Sequence, residues 1–301
     1  MADPAPLPAP RNEDSPRGFA FAFAAYLFWG FLPLYLKLMV HIPPAEVIAH
    51  RILWSVPIAG VVLVLIRRTA DLRRAMTDPR TLAMAAVTAT LLSVNWGIYV
   101  WAVMNDRALD TALGYYINPL FSVALGAILL GERMSRLQLV AIGLAALAVA
   151  VLTVSAGSLP WVSLALTVSW GLYAYFRKTL PIGPNQGFFL EVAILAPVAA
   201  GWILWAEATG QGHFGTPADA VLLIGAGFAT AAPLMVYANG AKLLRLSTIG
   251  MMQYIAPTIV FLIAVFVFDE PFGQERLVAF ALIWVALALY TVEMLRGAGR
   301  R

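Results

Sequence analysis

Ten long apolar runs, separated by short stretches carrying Pro, Gly and charge, follow one another along the 301 residues. They cover roughly residues 18–39, 46–66, 81–104, 108–130, 136–154, 159–176, 186–206, 218–241, 246–268 and 276–295. A helix needs about 20 apolar residues to cross the hydrocarbon of a bilayer, so each run predicts one membrane-spanning helix. Polar residues inside the runs keep helical spacing. In the third run Thr88, Asn95, Tyr99 and Asp106 share a face, and in the fourth Thr111, Tyr115, Asn118 and Ser122 recur at i, i+4, i+7 and i+11. A hydrogen-bonding group turned toward lipid is penalised, so these faces are expected to point inward.

A composition of 61% hydrophobic and 12% charged residues, with a mean hydropathy of +0.81, excludes a soluble globular domain. The opening "MADPAPLPAPRNEDSP" has no basic n-region, short apolar stretch and cleavage site, and reads as a disordered tail over 1–16 instead of a signal peptide. The chain has no cysteine, which removes disulfides, thiolate nucleophiles and thiolate metal sites.

Charge sets the orientation. Of the 20 Lys and Arg, only Lys37 and Arg51 lie inside runs, and with a cytoplasmic N-terminus sixteen of the other eighteen fall on the cytoplasmic side. Only Arg107 and Arg276 fall outside. This asymmetry predicts that both termini are cytoplasmic, and it accounts for the net charge of +4 without a nucleic-acid partner.

The chain also repeats itself. Pro119 stands thirteen residues before Glu132, as Pro257 does before Glu270, and the same offset of 138 pairs Tyr99 with Tyr237 and Tyr116 with Tyr254. Offsets of 140 and 141 pair Trp29-Gly30 with Trp170-Gly171, Lys37 with Lys178, Pro44 with Pro184 and Pro57 with Pro197. Two five-helix halves are expected, 17–156 and 157–296, followed by a short cytoplasmic tail over 297–301. An odd number of spans per half makes the second half enter the membrane from the opposite side. The expected fold is therefore an all-α integral membrane protein of ten helices in two inverted repeats, a secondary-transporter plan with its substrate near the midplane.

At this point the sequence resembles a known family. Trp29-Gly30, Pro33, Tyr35, Lys37, Glu46, His50-Arg51, Trp54-Ser55, Asn95-Trp96, Tyr99, "LGYYINPL" from Leu113 and "RLSTIGMMQYIAPT" from Arg245 are similar to the RarD family. That family lies in the EamA branch of the drug/metabolite transporter superfamily. The resemblance covers roughly residues 17–296 and implies two EamA-like repeats, a central cavity and export of small organic solutes. Asp110 stands where the family usually has Glu, and Asp269 where it usually has Gly.

Arg51 and Glu191 are charges inside runs, at equivalent positions of the two halves. Each lies about 8 Å deep from its own side at 1.5 Å per residue, which leaves more than about 10 Å of depth between them in a core about 30 Å thick. They are expected not to touch. Arg51 has Glu46, Asp106, Asp110 or Glu270 as candidate partners, and Glu191 has Lys178, Lys242, Arg245 or Arg133. Either such pairs are gates at the two ends, with His50, Asp110 and Glu270 nearby, or Arg51 snorkels and Glu191 locks packing.

The candidate cavity lining is Tyr26, Trp29, Trp54, Asn95, Tyr99, Tyr115, Asn118, Trp170, Tyr173, Tyr237, Gln253 and Tyr254. Rings and amides of this kind suit an amphipathic solute, though each residue alone could equally hold helices together. Prolines at 33, 57, 119, 197, 233 and 257 act either as hinges or as fixed kinks.

There is no GxxxxGK[ST], HExxH, GxSxG or DDxxD, and "GAGFAT" at 225–230 sits within a span as a packing sequence. No catalytic residue, cofactor or metal is expected. The expected protein is a bacterial inner-membrane exporter of small amphipathic metabolites, amino acids foremost, working by alternating access. A broad drug efflux permease is the second reading, and an intramembrane enzyme or scaffold the rival class. The Ala-rich fifth and tenth spans suit a homodimer contact.

Overall fold

The computed structural model describes residues 15–67, 69–130, 134–241 and 243–298. Of the expected tails over 1–16 and 297–301, residues 1–14 and 299–301 lie outside this range, as do Glu132, Arg133 and Lys242, whereas Pro16 opens a helix and residues 297–298 close one. The described residues form twelve helices: α1 Pro16–Lys37, α2 Pro44–Leu65, α3 Thr69–Ala75, α4 Pro79–Met104, α5 Ala108–Leu130, α6 Arg136–Ala156, α7 Trp161–Thr179, α8 Pro184–Ala208, α9 Pro217–Ala241, α10 Leu246–Met252, α11 Ile255–Phe266 and α12 Gln274–Ala298.

Local chemistry fixes the helix ends. Proline opens α1, α2, α4, α8 and α9, where its missing N–H costs nothing because first-turn donors have no intrahelical partner. The Asp78 carboxylate caps α4 by accepting from the Arg80 and Thr81 N–H groups, and these bonds, with the Thr81 hydroxyl foremost, hold its pKa below the ordinary value. Ser135 and Gln138 cap α6 reciprocally, and Gly157 ends it at φ +65°.

Among the described residues nine segments are long and apolar enough to cross a membrane, counting Thr248–Phe266 as one crossing. The tenth is α7, less apolar because Ser163, Thr167, Ser169 and Arg177 lie in it, and it is packed between α4 and α5. Two features depart from ten plain spans. The basic connection after α2 contains the short helix α3, and the ninth span is broken between Met252 and Ile255. Pro257 cannot donate to the Gln253 carbonyl four residues back, so one intrahelical hydrogen bond is missing at the break.

Packing relates the two halves. α1 packs on α9 and α11, and its repeat mate α7 packs on α4 and α5; α2 meets α8, α5 meets α11, and α6 meets α12. The same correspondence holds at single residues. A β-carbon at Gly30 would come within 2.7 Å of Ile259, and one at Gly171 within 2.5 Å of Phe121. Gly30 and Gly171 are 141 apart, and Phe121 and Ile259 are 138 apart, so one close helix contact is built twice from repeat-equivalent residues.

The bundle has two unlike ends. The basic end carries Arg67, Arg73, Arg74, Arg80, Arg136, Arg177, Arg245 and Arg296 in or beside its connections. The far end is formed by the connections 38–43, 105–107, 157–160, 209–216 and 267–273.

Candidate substrate cavity

A cavity of about 660 Å³ lies between the halves. Its floor is at Leu32, Arg51, Tyr99, Thr230 and Val260, most of them five to seven residues from the far ends of their helices, and its lining continues to the basic end at Arg177, Pro184 and Asn185. The remaining thickness toward the far end is a packed apolar plug that includes Leu36, Met39, Ile42, Val47, Val100, Val103 and Leu109. The cavity thus opens at the basic end and is shut at the other.

Much of the lining comes from repeat-equivalent positions. Trp29 and Trp170, Tyr99 and Tyr237, Tyr115 and Gln253, and Asn118 and Ala256 all border the space. Rings form two groups. Tyr26, Trp29 and Tyr237 sit with centroids 5.5–5.6 Å apart, while Trp170 lies 6.2 Å from Tyr115 and 5.3 Å from Tyr173.

Nine of the twelve residues expected to line the cavity do so, and three stand elsewhere. Asn95 is fully buried behind the wall, donating to Ser169 Oγ at 3.0 Å and the Leu166 carbonyl at 3.2 Å while accepting from the Tyr115 hydroxyl at 3.0 Å. It positions a lining residue without reaching the space. Trp54 stacks on Phe214, 6.0 Å away, and donates to His50 Nδ1. Tyr254 borders a separate depression with Tyr116, Thr258 and Trp284, because the break before α11 turns it away from Gln253. Trp96, Phe188, Thr230 and Asn185 also line the cavity, although the sequence assigned none of them to the lining.

The charges keep apart as expected but choose other partners. Arg51 begins seven residues into α2 and Glu191 seven into α8, each about 10 Å deep from its own end. None of the four acids considered for Arg51 reaches it. Its Nε donates to Thr230 Oγ1 at 2.9 Å, its guanidinium lies 5.2 Å over the Trp96 ring, and its Nη1 has no hydrogen-bond partner among the described residues. Those acids are engaged elsewhere. Glu46 accepts from the His213 N–H and meets His213 Nδ1, both at 2.7 Å; Asp106 pairs with Lys37; Asp110 pairs with Arg107 at 2.7 Å and faces Arg276 at 3.9 Å.

Glu270 accepts from the N–H groups of Ala108 and Leu109 at 2.6 and 2.9 Å, placing a carboxylate on the first turn of α5. Burial pushes this carboxyl above the usual range, against the pull of those two N–H groups. His50 stacks on Phe214 at 4.9 Å. These contacts, with His41 on Asp219 at 2.8 Å, tie the far-end connections together.

Glu191 is fully buried and faces Arg177 Nε at 3.5 Å, while the Tyr173 hydroxyl donates to its other oxygen at 3.3 Å. Arg177 was not among its expected partners. Arg133, Lys242 and the Lys178 side chain lie outside the described residues. Gly187 makes the arrangement feasible, because a β-carbon there would overlap the Arg177 guanidinium.

Comparison with known proteins agrees with this architecture. The sequence profile of the EamA-like transporter family matches residues 16–154. Protein RarD of Streptomyces exfoliatus is 40% identical over 285 residues, covering 94% of this chain and 90% of the relative. Protein RarD of Escherichia coli is 39% identical over 279 residues, covering 92% and 94%. The Chloramphenicol-sensitive protein RarD of Pseudomonas aeruginosa is 30% identical, covering 95% and 98%. A crystal structure at 19% identity superposes with a TM-score of 0.60 over 93% of this chain and 98% of its own, and shows the shared fold. With full-length identity of this order, the chain belongs to the RarD family of the EamA branch of the drug/metabolite transporters, a family of membrane transporters and not of enzymes.

Proposed function

We propose that this protein exports small amphipathic metabolites, amino acids and their apolar or aromatic relatives foremost, by alternating access through the central cavity. The observation that carries the reading is a ring-lined space between the halves that opens at one end of the bundle and is shut at the other by a packed plug and ion pairs. Aromatic walls hold an apolar body, and a few polar groups orient its head. By the distribution of Lys and Arg, the basic end is cytoplasmic, so the described state faces inward, ready to load. Purified protein in sealed liposomes should give counterflow of labelled aromatic or aliphatic amino acids. No counterflow of any solute in a broad panel would remove the transport assignment.

A second reading is broad drug efflux, favoured by the name of the Pseudomonas relative and by the mostly apolar lining. Chloramphenicol counterflow that exceeds that of every metabolite tested would select it.

A further inference from the structure

We infer that Arg51 is the docking point for a substrate carboxylate. The transported solute is then an apolar or aromatic carboxylic acid whose nitrogen, where present, need not be charged. This rests on the transport reading above and specifies the head group that the same cavity selects.

The inference starts from a charge imbalance. Arg51 is only 3% exposed, yet no carboxylate lies within ion-pair distance of it among the described residues. A lone buried cation is expensive, and one kept inside a membrane segment marks a substrate or ion path. Arg51 borders the cavity floor, with Nε held by Thr230, the guanidinium plane on Trp96 and Nη1 unpaired. Two contacts fix the fork while part of it stays free, which is the preorganisation a bidentate carboxylate needs.

The rest of the lining supports an anion. Among the described residues it contains no Asp or Glu. The other cation, Arg177, already faces Glu191, so Arg51 is the charge left unbalanced. A carboxylate would neutralise it, a neutral amide would not, and an ammonium would be repelled and find no acid. Asn118 Oδ1, also buried on the lining and without a partner, can accept an N–H from an amine or acylated amine. The free amino group of an amino acid is therefore tolerated without being required.

Titration of the purified full chain in nanodiscs with 3-phenylpropanoate, 3-phenylpropanamide and 3-phenylpropylamine tests this. The carboxylate should bind about 10-fold more tightly than the amide, the scale of one charge-assisted hydrogen bond, and the amine most weakly. Arg51→Gln should erase the difference between carboxylate and amide, and Arg51→Lys should retain part of it. Equal binding of carboxylate and amide by the unmodified protein would overturn the inference, as would failure of all three to bind. The unmodified ranking decides the matter should Arg51→Gln fail to fold. Arg51-dependent carboxylate binding without counterflow in liposomes would keep this site and remove the transport reading. Counterflow of neutral solutes without carboxylate preference would do the opposite.

Discussion

Glu191 gains its stability from Arg177, and that pairing dictates how each responds to mutation. Removing one member of a buried ion pair leaves the other charge without compensation, at about 3 kcal/mol or more, whereas replacing both with apolar groups is often close to neutral. Arg177→Met should therefore destabilise the protein by about 2–3 kcal/mol, discounted because Arg177 is 17% exposed, and Arg177→Met with Glu191→Leu should recover most of that. Thermal unfolding in detergent measures both, and a double variant no more stable than the single would show that the guanidinium matters for packing alone. Exchanging Arg51 with Glu191 is a separate case. A carboxylate at 51 would meet Trp96 and Thr230, and a cation at 191 would meet Arg177, so the double swap should transport no better than the worse single swap. The sequence made the burial and separation of Arg51 and Glu191 legible. It hid their partners, because Arg177 reads as one of the basic rim and reaches Glu191 across the connection to α8, where no helical spacing rule applies.

At the scale of elements, the spans were legible because each is a long apolar run, and the repeat because its prolines and aromatic residues recur at nearly the same offset, 138 to 141 residues. What composition could not show was the break between α10 and α11. Its counterpart Pro119 lies in an α5 that remains continuous, so the proline alone does not decide the outcome. Trp54, Asn95 and Tyr254 were read as lining because they are polar or aromatic on plausible faces. Their positions depend on tertiary partners, namely Phe214, Ser169 and the broken helix. Close approach offers a direct test of packing. A β-carbon at Gly114 in α5 would lie 2.7 Å from the Ser163 carbonyl oxygen of α7, and backbone cannot move aside as a flexible side chain can. Gly114→Ala should cost about 1–3 kcal/mol, while Gly143→Ala, with nothing within 4 Å of the added carbon, should be neutral or slightly stabilising. Between elements, Asp269 holds φ +52° in the connection before α12, a conformation that glycine adopts without strain. Asp269→Gly should raise stability by up to about 1 kcal/mol, read as an increase in Tm, and a loss would point to an unrecognised role for the carboxylate.

For the molecule as a whole, an inward-facing state requires that the far-end contacts hold while the basic end stays open. Alternation then requires them to part. The polar contacts that span far-end connections include Glu46 with His213, Lys37 with Asp106, His41 with Asp219, and Glu270 with the start of α5. A charge-assisted hydrogen bond contributes about 1.5 kcal/mol, so losing one should shift the balance toward the outward state about 10-fold. The absence of cysteine from the chain supplies a clean background for reporters. Thr69→Cys should label only from the cytoplasm and Gly212→Cys only from outside, and the reverse would invert the orientation. On that frame, Gln253→Cys, which borders the cavity, should label from the cytoplasmic side in the otherwise unchanged protein. Adding Glu46→Gln and Asp106→Asn should increase its labelling from outside by one order of magnitude or more while Thr69→Cys is unaffected. Raised labelling at both positions would mean general loosening, and unchanged labelling at Gln253→Cys would show that the apolar plug, not the ion pairs, keeps the far end shut.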